Sequence, residues 1–309
     1  MVRSGLAEAR HPVSVAAVDR RGRLIAAFGD HLDRPFYARS AAKPFQATVS
    51  QRHGADLAAE QLAVAAASHG GQPIHIAYVR DLLAGFGIPE ARLACPPSWP
   101  MSPSAARTAA GSGADRPLPV FHNCSGKHAA MLRACVAEGW SLHYTDPEHP
   151  LQLDNARLMA DVTGGEVLPA GVDGCGVPAF RTTVVGLATA YARLSWDPDL
   201  AEVHGAMTRF ASLTSDGERR EAGLARWFPA AVKGGAQGCL GVAWYGAVGL
   251  AAKAWTGDPD AAMVGMVEAL RRLSLLDGHP AEGLAELARP PVTGGGVPVG
   301  SLQPVEESG

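Results

Sequence analysis

A mixed α/β fold, a sheet flanked by helices, is what this 309-residue chain predicts. Strand patterns occupy both ends, at 12–28 and 230–255, and most of the chain between them carries the 3.6-residue periodicity of amphipathic helices. With 47% hydrophobic and 18% charged residues and a formal net charge of -3, the composition is globular and gives no pull toward polyanions. Nucleic acid is therefore not an expected partner.

The run HPVSVAAVDRRGRLIAAFGD reads as a hairpin over 12–28, with Gly22 taking the positive φ of its turn. A helix opens near residue 41, because Pro44 is tolerated only in a first helical turn, where its missing N–H costs little. Helices follow at 58–68 and 73–87, separated by Gly70 and Gly71. Residues 96–120, rich in Pro, Ser and Gly, read as a long loop around one short helix, a lid or linker. A helix at 126–139 ends at Gly139, and three more cover 149–164, 179–195 and 198–212. Two or three adjacent strands then fill 230–255, and 259–276 is the last helix. The expected organisation is one domain over 1–309 with a helical subregion at about 96–225.

The first residues, MVRSGLAEARHPVS, lack a signal-type apolar core, and no apolar run approaches the roughly 20 residues of a membrane helix. A cytoplasmic location away from membranes is expected. The odd number of scattered cysteines, Cys95, Cys124, Cys135, Cys175 and Cys239, points to reduced thiols with a metal or catalytic duty open to some of them.

In RSAAKPFQA, Ser40 and Lys43 stand three residues apart and share one helix face. An alcohol becomes a nucleophile when a base takes its proton, and lysine is such a base only when desolvation or a second cation depresses its pKa. S-x-x-K alone is a chance match in chains of this length. Here Ser68, in ASHGG, and Lys233 with Gly234 and Gly235, in AAVKGG, follow it in the order used by serine β-lactamases and penicillin-binding proteins. Lys233 fits the strand-end pattern as partner of Ser68, and Lys253 is the other candidate. Cys124 and Lys127 lie one helical turn apart, and Cys175 sits between glycines. Spacing alone makes the cysteines buried free thiols; two thiolates would suit zinc, but lysine is a rare ligand that must first lose its proton.

Five segments, RSAAKPFQA, ASHGGQPIH, HNCSGKHAAML, AGVDGCGVPAF and VKGGAQG, together resemble the rhizobial-type, thermolabile L-asparaginase (asparaginase II) family, whose members are similar to serine β-lactamases in fold. The likeness extends to the first hairpin and the tail GGGVPVGSLQPV. It implies a serine β-lactamase/penicillin-binding-protein-like α/β sheet flanked by helices, and hydrolysis of L-asparagine to L-aspartate and ammonia through an acyl-enzyme. It implies Ser40 as nucleophile, Lys43 as its base, and Ser68 with Lys233 as a second pair for proton relay. It also implies Zn2+ held by Cys124, Lys127 and Cys175 with a water, and a homodimer.

An amino-acid substrate brings an ammonium and a carboxylate, which selective sites match with opposite charge. Asp173 is the expected partner of the ammonium; Arg39 takes the carboxylate or is a surface arginine. His128 touches substrate or supports the ligand set, and His69 supports or packs. Backbone N–H groups around Ser40 are the expected oxyanion donors. The chain departs from the family pattern at Gly70 and Gln72, in LTSDGERREAGLARWF and in KAWTGDPDAA, which leaves substrate identity open. Alternatives are a biosynthetic amidase, acyltransferase or cyclase on the same scaffold, a catalytically silent zinc-dependent binding protein, and an enzyme whose zinc activates water without the serine.

Overall fold

The computed structural model describes residues 1–215, 219–277 and 281–305. Five strands, β1 (Val13–Val18), β2 (Leu24–Phe28), β3 (Ala231–Gly235), β4 (Cys239–Trp244) and β5 (Val248–Ala254), form a sheet in the order β2-β1-β5-β4-β3. Every neighbouring pair is antiparallel, and β1 joins β5 with Val15 opposite Ala252, so strands from the two ends of the sequence close one sheet. Gly22, at φ +74°, makes the β1–β2 turn as its sequence requires.

The helices are α1 (Lys43–Ser50), α2 (Ala59–Ala65), α3 (Pro73–Ala84), α4 (Pro103–Gly111), α5 (Ser125–Ala137) and α6 (Pro150–Thr163). They continue with α7 (Val184–Leu194), α8 (Ala201–Arg209), α9 (Ala211–Thr214), α10 (Arg220–Trp227), α11 (Pro259–Arg272) and, beyond the helix expected to be last, the single turn α12 (Ala285–Ala288). The expected helix over 179–195 is shorter: Ala179 ends one short strand, Arg181–Thr182 forms another, and α7 starts only after Thr183, whose hydroxyl caps the Gly186 N–H. Six further short strands among the described residues were not foreseen; Phe36–Tyr37 pairs with Arg181–Thr182 and Gly171–Val172 with Pro178–Ala179. Val2–Arg3 and Leu6–Ala7 join Pro291–Gly294 and Val297–Ser301 in a separate small sheet. No helix among the described residues is long and apolar enough to cross a membrane.

Alternation along the strands divides the core. Val15, Ala17, Val232, Leu240, Val242, Leu250 and Ala252 pack toward Met263, Met266 and Leu270 of α11. Ala16, Val18, Ala231, Ala243 and Ala251 face the other way, into the larger core under α1, α2, α5, α6 and α7. Each large apolar side chain so buried contributes roughly 1.5–3 kcal/mol.

That second face is built from small residues, and the consequence is close helix approach. A Cβ on Gly249 would overlap the Ala188 carbonyl and the Ala192 amide of α7, and one on Gly241 would overlap the Tyr191 ring. Tyr191 is seated between Gly241 and Phe45, whose ring meets it edge-on at 5.8 Å. Replacing Gly241 with alanine should therefore destabilise the protein by roughly 1–3 kcal/mol, read as a lower urea midpoint with unchanged slope.

Candidate active site

Residues Arg39–Ala42 make one 3-10 turn that runs straight into α1 at Lys43, with Pro44 in the first helical turn. Two hydrogen bonds pin this turn to the sheet layer: Tyr191 Oη donates to the Ala41 carbonyl at 2.9 Å, and Cys239 Sγ donates to the Ala38 carbonyl at 3.2 Å. Arg39 itself has φ +49°, left-handed backbone that costs a non-glycine residue roughly 1–2 kcal/mol. Its guanidinium donates to Asp173 Oδ1 at 2.7 Å, so a cross-chain ion pair steadies the strained residue directly before Ser40. The two side chains expected to bind substrate charges are thus each other's partners.

Ser40 is half-buried and lines a cavity of about 360 Å³, together with Ser68, Asn123, Arg219, Glu221 and the 234–240 segment. Its hydroxyl has no hydrogen bond among the described residues. Lys43 lies behind it, fully buried, with Nζ 2.5 Å from the Ala67 carbonyl, 3.0 Å from Ser68 Oγ and 3.3 Å from the Asn123 carbonyl. Burial pushes the Lys43 amine down from its usual value; the Cys124 and Cys175 thiols oppose this and the neighbouring Lys127 cation adds to it. An uncharged Lys43 can direct its two N–H bonds to the two carbonyls and leave its lone pair for the Ser68 O–H. That is the arrangement of a base beside a hydroxyl.

Ser68 follows α2, and its backbone is held from both sides. Its N–H donates to the Thr214 carbonyl at 3.3 Å, and its own carbonyl accepts from Arg219 Nη1 at 2.9 Å. The hydrogen-bonded lysine of Ser68 is accordingly Lys43, where Lys233 had been expected. Lys233, on β3, donates to the Gly234 carbonyl at 2.7 Å and is not among the residues that line the cavity. Lys253 is ruled out as the Ser68 partner: its Nζ bonds the Gln237 and Ala254 carbonyls and rides over the rings of Phe36 and Trp255.

Burial, then the Lys43 charge, pushes Lys233 down to about 7, with Glu221 opposing and Arg219 reinforcing the shift. The native state therefore binds fewer protons than the unfolded chain between about 7 and the usual 10.5. Stability gains from this group as pH rises through that window, and below about 7 the folded state carries a buried charge. Lys233→Met should flatten that part of the profile by a few kcal/mol at most, measured as urea midpoints across the window in wild type and variant.

The thiol set also converges. Lys127 Nζ donates to Cys175 Sγ at 3.2 Å, Cys124 Sγ donates to Asn123 Oδ1 at 3.2 Å, and all three residues are buried. The adjacent Cys124 thiol, with the Lys127 cation adding to it, holds the Cys175 thiol far below its usual pKa, while the nearness of Cys175 and burial raise Cys124. His128 donates or accepts through Nδ1 with Tyr144 Oη at 2.8 Å, and its Nε2 is buried without a hydrogen-bond partner beside Cys175. No group of three or more His, Cys, Asp or Glu among the described residues is arranged to hold a metal. Two sulfurs with an amine and an orphaned imidazole nitrogen nevertheless match the soft, nitrogen-and-sulfur preference of zinc. His128 stands with this set and away from the residues that line the cavity.

His69 is a supporting residue. The Gly71 N–H donates to its Nδ1 at 3.2 Å, which places the ring proton on Nε2, 3.0 Å from Ser125 Oγ, and Ser125 passes its own proton to the Val120 carbonyl at 2.8 Å. Burial, with His75 stacked at 5.1 Å, keeps this imidazole uncharged. Sequence reasoning missed Asn123, whose carbonyl serves both Lys43 and the His69 N–H, and it missed Arg219 and Glu221. Asn123 lies inside a quoted motif, HNCSGK; the other two lie in the segment that departs from the family pattern.

Two serine hydroxyls, Ser40 and Ser68, line one cavity, with a buried lysine from α1, Lys43, bonded to Ser68 and a second buried lysine, Lys233, on the edge strand β3. The chain belongs to the L-asparaginase II family, whose family model matches residues 1–304. No curated protein matches it. Among solved structures, Mglu in its glutamate form superposes with a TM-score of 0.51 at 16% identity, covering 86% of this chain and 62% of that one. Mglu in its native form in the presence of 4.3 M NaCl gives a TM-score of 0.47 at 19% identity, over 89% and 64%. The chain therefore spans less than two thirds of the length of these two structures, and the first of them shows a shared mixed α/β fold.

Proposed function

We propose that the protein is an amidohydrolase that cleaves the side-chain amide of L-asparagine through a serine acyl-enzyme. The observation that carries this reading is the buried Lys43 amine hydrogen-bonded to Ser68 at the wall of the cavity that Ser40 also lines. Family membership supports the reaction class, and the five-stranded antiparallel sheet closed by both ends of the sequence supports the β-lactamase-like scaffold.

In this scheme Ser40 Oγ attacks the amide carbon while its proton passes through the Ser68 hydroxyl to the uncharged Lys43 amine. The resulting Lys43 ammonium returns the proton to the amide nitrogen, the C–N bond breaks and ammonia leaves. Water then repeats the attack on the seryl ester with the same base, releasing L-aspartate and restoring Ser40. The Ala41 and Lys43 N–H groups donate to the Ala38 and Ser40 carbonyls, which leaves the Ser40 N–H as the candidate oxyanion donor of the turn. Burial and the neighbouring Lys127 cation favour uncharged Lys43. Arg39 and Asp173 act as a pair that positions the turn.

Cys124, Lys127 and Cys175 would hold Zn2+, whose charge the two thiolates would neutralise, so that the ion would tie α5 to the Cys175 loop. A second reading makes Ser68 the nucleophile, favoured by its direct bond to Lys43; its burial, at 2% exposure, weighs against it. Ammonia release from asparagine, glutamine and simple amides tests the reaction, and mapping the trapped acyl group by mass spectrometry assigns the serine. No release from any of these amides would reject the hydrolase reading.

A further inference from the structure

Four charged side chains line the wall of the cavity beyond the serines: Arg219, Arg220, Glu221 and Asp260. Two of them neutralise each other, since Arg220 grips Asp260 through both Nε and Nη2, the latter at 2.8 Å. The other two are left without an ion pair among the described residues, one of each sign. Arg219 spends a single N–H on the Ser68 carbonyl, at 2.9 Å, which places its guanidinium next to the hydroxyl-bearing residue, and the rest of its donor fork has no partner among the described residues. Glu221 lies against Gly234, where a Cβ would overlap its Oε1, and it has no hydrogen bond among the described residues. Both act on Lys233 with opposite sign, so both charges reach the interior of the site.

A free guanidinium and a free carboxylate on one cavity match the α-carboxylate and α-ammonium of an amino acid. The pair that could otherwise have done this, Arg39 and Asp173, is bonded to itself and lies outside the cavity lining. We propose that Arg219 and Glu221 form a zwitterion clamp at the mouth of α10 that selects α-amino-acid amides, Arg219 taking the α-carboxylate and Glu221 the α-ammonium. Glycine at 234 is part of the clamp, because any side chain there would displace the Glu221 carboxylate. The inference rests on the amidohydrolase reading for its substrate and on the cavity alone for its binding.

The test pairs turnover with equilibrium binding. Turnover uses L-asparagine, succinamate, which lacks the ammonium, and 3-aminopropanamide, which lacks the α-carboxylate. Binding uses L-aspartate, succinate and β-alanine, measured by calorimetry on the full chain. Arg219→Gln should raise the KM for asparagine by roughly 10- to 100-fold with a much smaller change in kcat, and abolish the preference for asparagine over 3-aminopropanamide alone. Glu221→Gln should abolish only the preference over succinamate. Arg219→Lys should recover part of the loss as a point charge without the fork. Wild type that binds L-aspartate selectively, with each variant losing its one preference, upholds the clamp even if asparagine gives no ammonia; that outcome removes only the hydrolase reading. Variants that keep both preferences, or wild type that binds the three acids equally, overturn it.

Discussion

Ser40→Ala should abolish ammonia release from asparagine, by roughly 1,000-fold or more in kcat, and leave stability within about 0.5 kcal/mol of wild type. The combination is diagnostic, because the Ser40 hydroxyl is half-buried and makes no hydrogen bond among the described residues, so its removal orphans no donor or acceptor. The strained Arg39, the Arg39–Asp173 ion pair and the Tyr191 bond to Ala41 all involve neighbouring groups that the change leaves in place. A small alanine there should therefore report on chemistry alone. Activity that survives in Ser40→Ala but disappears with a zinc chelator would hand the reaction to metal-activated water. Activity that survives both would assign the nucleophile to Ser68. Absence of turnover in wild type, with retained metal binding, would favour the silent binding protein.

Most of the fold was legible because its signals are local. The β1–β2 hairpin is written in alternating apolar residues around a glycine, and the opening of α1 is fixed by a proline that only a first turn accepts. The strands of 2–7 and 291–301 were not legible, since segments of two to five residues become strands only by pairing with each other across the whole chain. The folded chain brings Ser40, Lys43 and Ser68 together, and the bonds among the expected site residues differ in part from the expected pairs. Spacing on a helix says that Ser40 and Lys43 share a face, but it cannot say that the loop after α2 will bring Ser68 closer to the same amine. Likewise Arg39 and Asp173 carry the right charges for an amino acid, and only the folded chain shows that 134 residues of separation close into one ion pair. Arg219 and Glu221 went unnoticed for the opposite reason: their segment matches no motif, and their standing depends on Arg220 being taken by Asp260.

Lys43→Met and Lys43→Arg should both lose roughly 100- to 10,000-fold in kcat, and they should differ in stability. Methionine fills similar volume and takes away the partner of two buried groups, the Ala67 carbonyl and the Ser68 hydroxyl, at a cost of about 1–3 kcal/mol each. The Asn123 carbonyl keeps the His69 N–H and is not orphaned. Against those costs, methionine removes an amine whose charge burial disfavours, which offsets part of the loss at neutral pH. Arginine cannot shed its proton and would carry a fixed charge into the fully buried position beside Lys127, so it should be the less stable of the two. The pH profile separates the roles further. Because the native Lys43 amine is lowered from its usual 10.5, wild-type stability gains from this residue as pH rises between the lowered value and 10.5, and Lys43→Met removes that gain. Urea midpoints and ammonia release measured over the same pH series decide the matter: if Lys43→Arg retained turnover, Lys43 would serve as a fixed positive charge, and the proton from the attacking hydroxyl would have to go elsewhere.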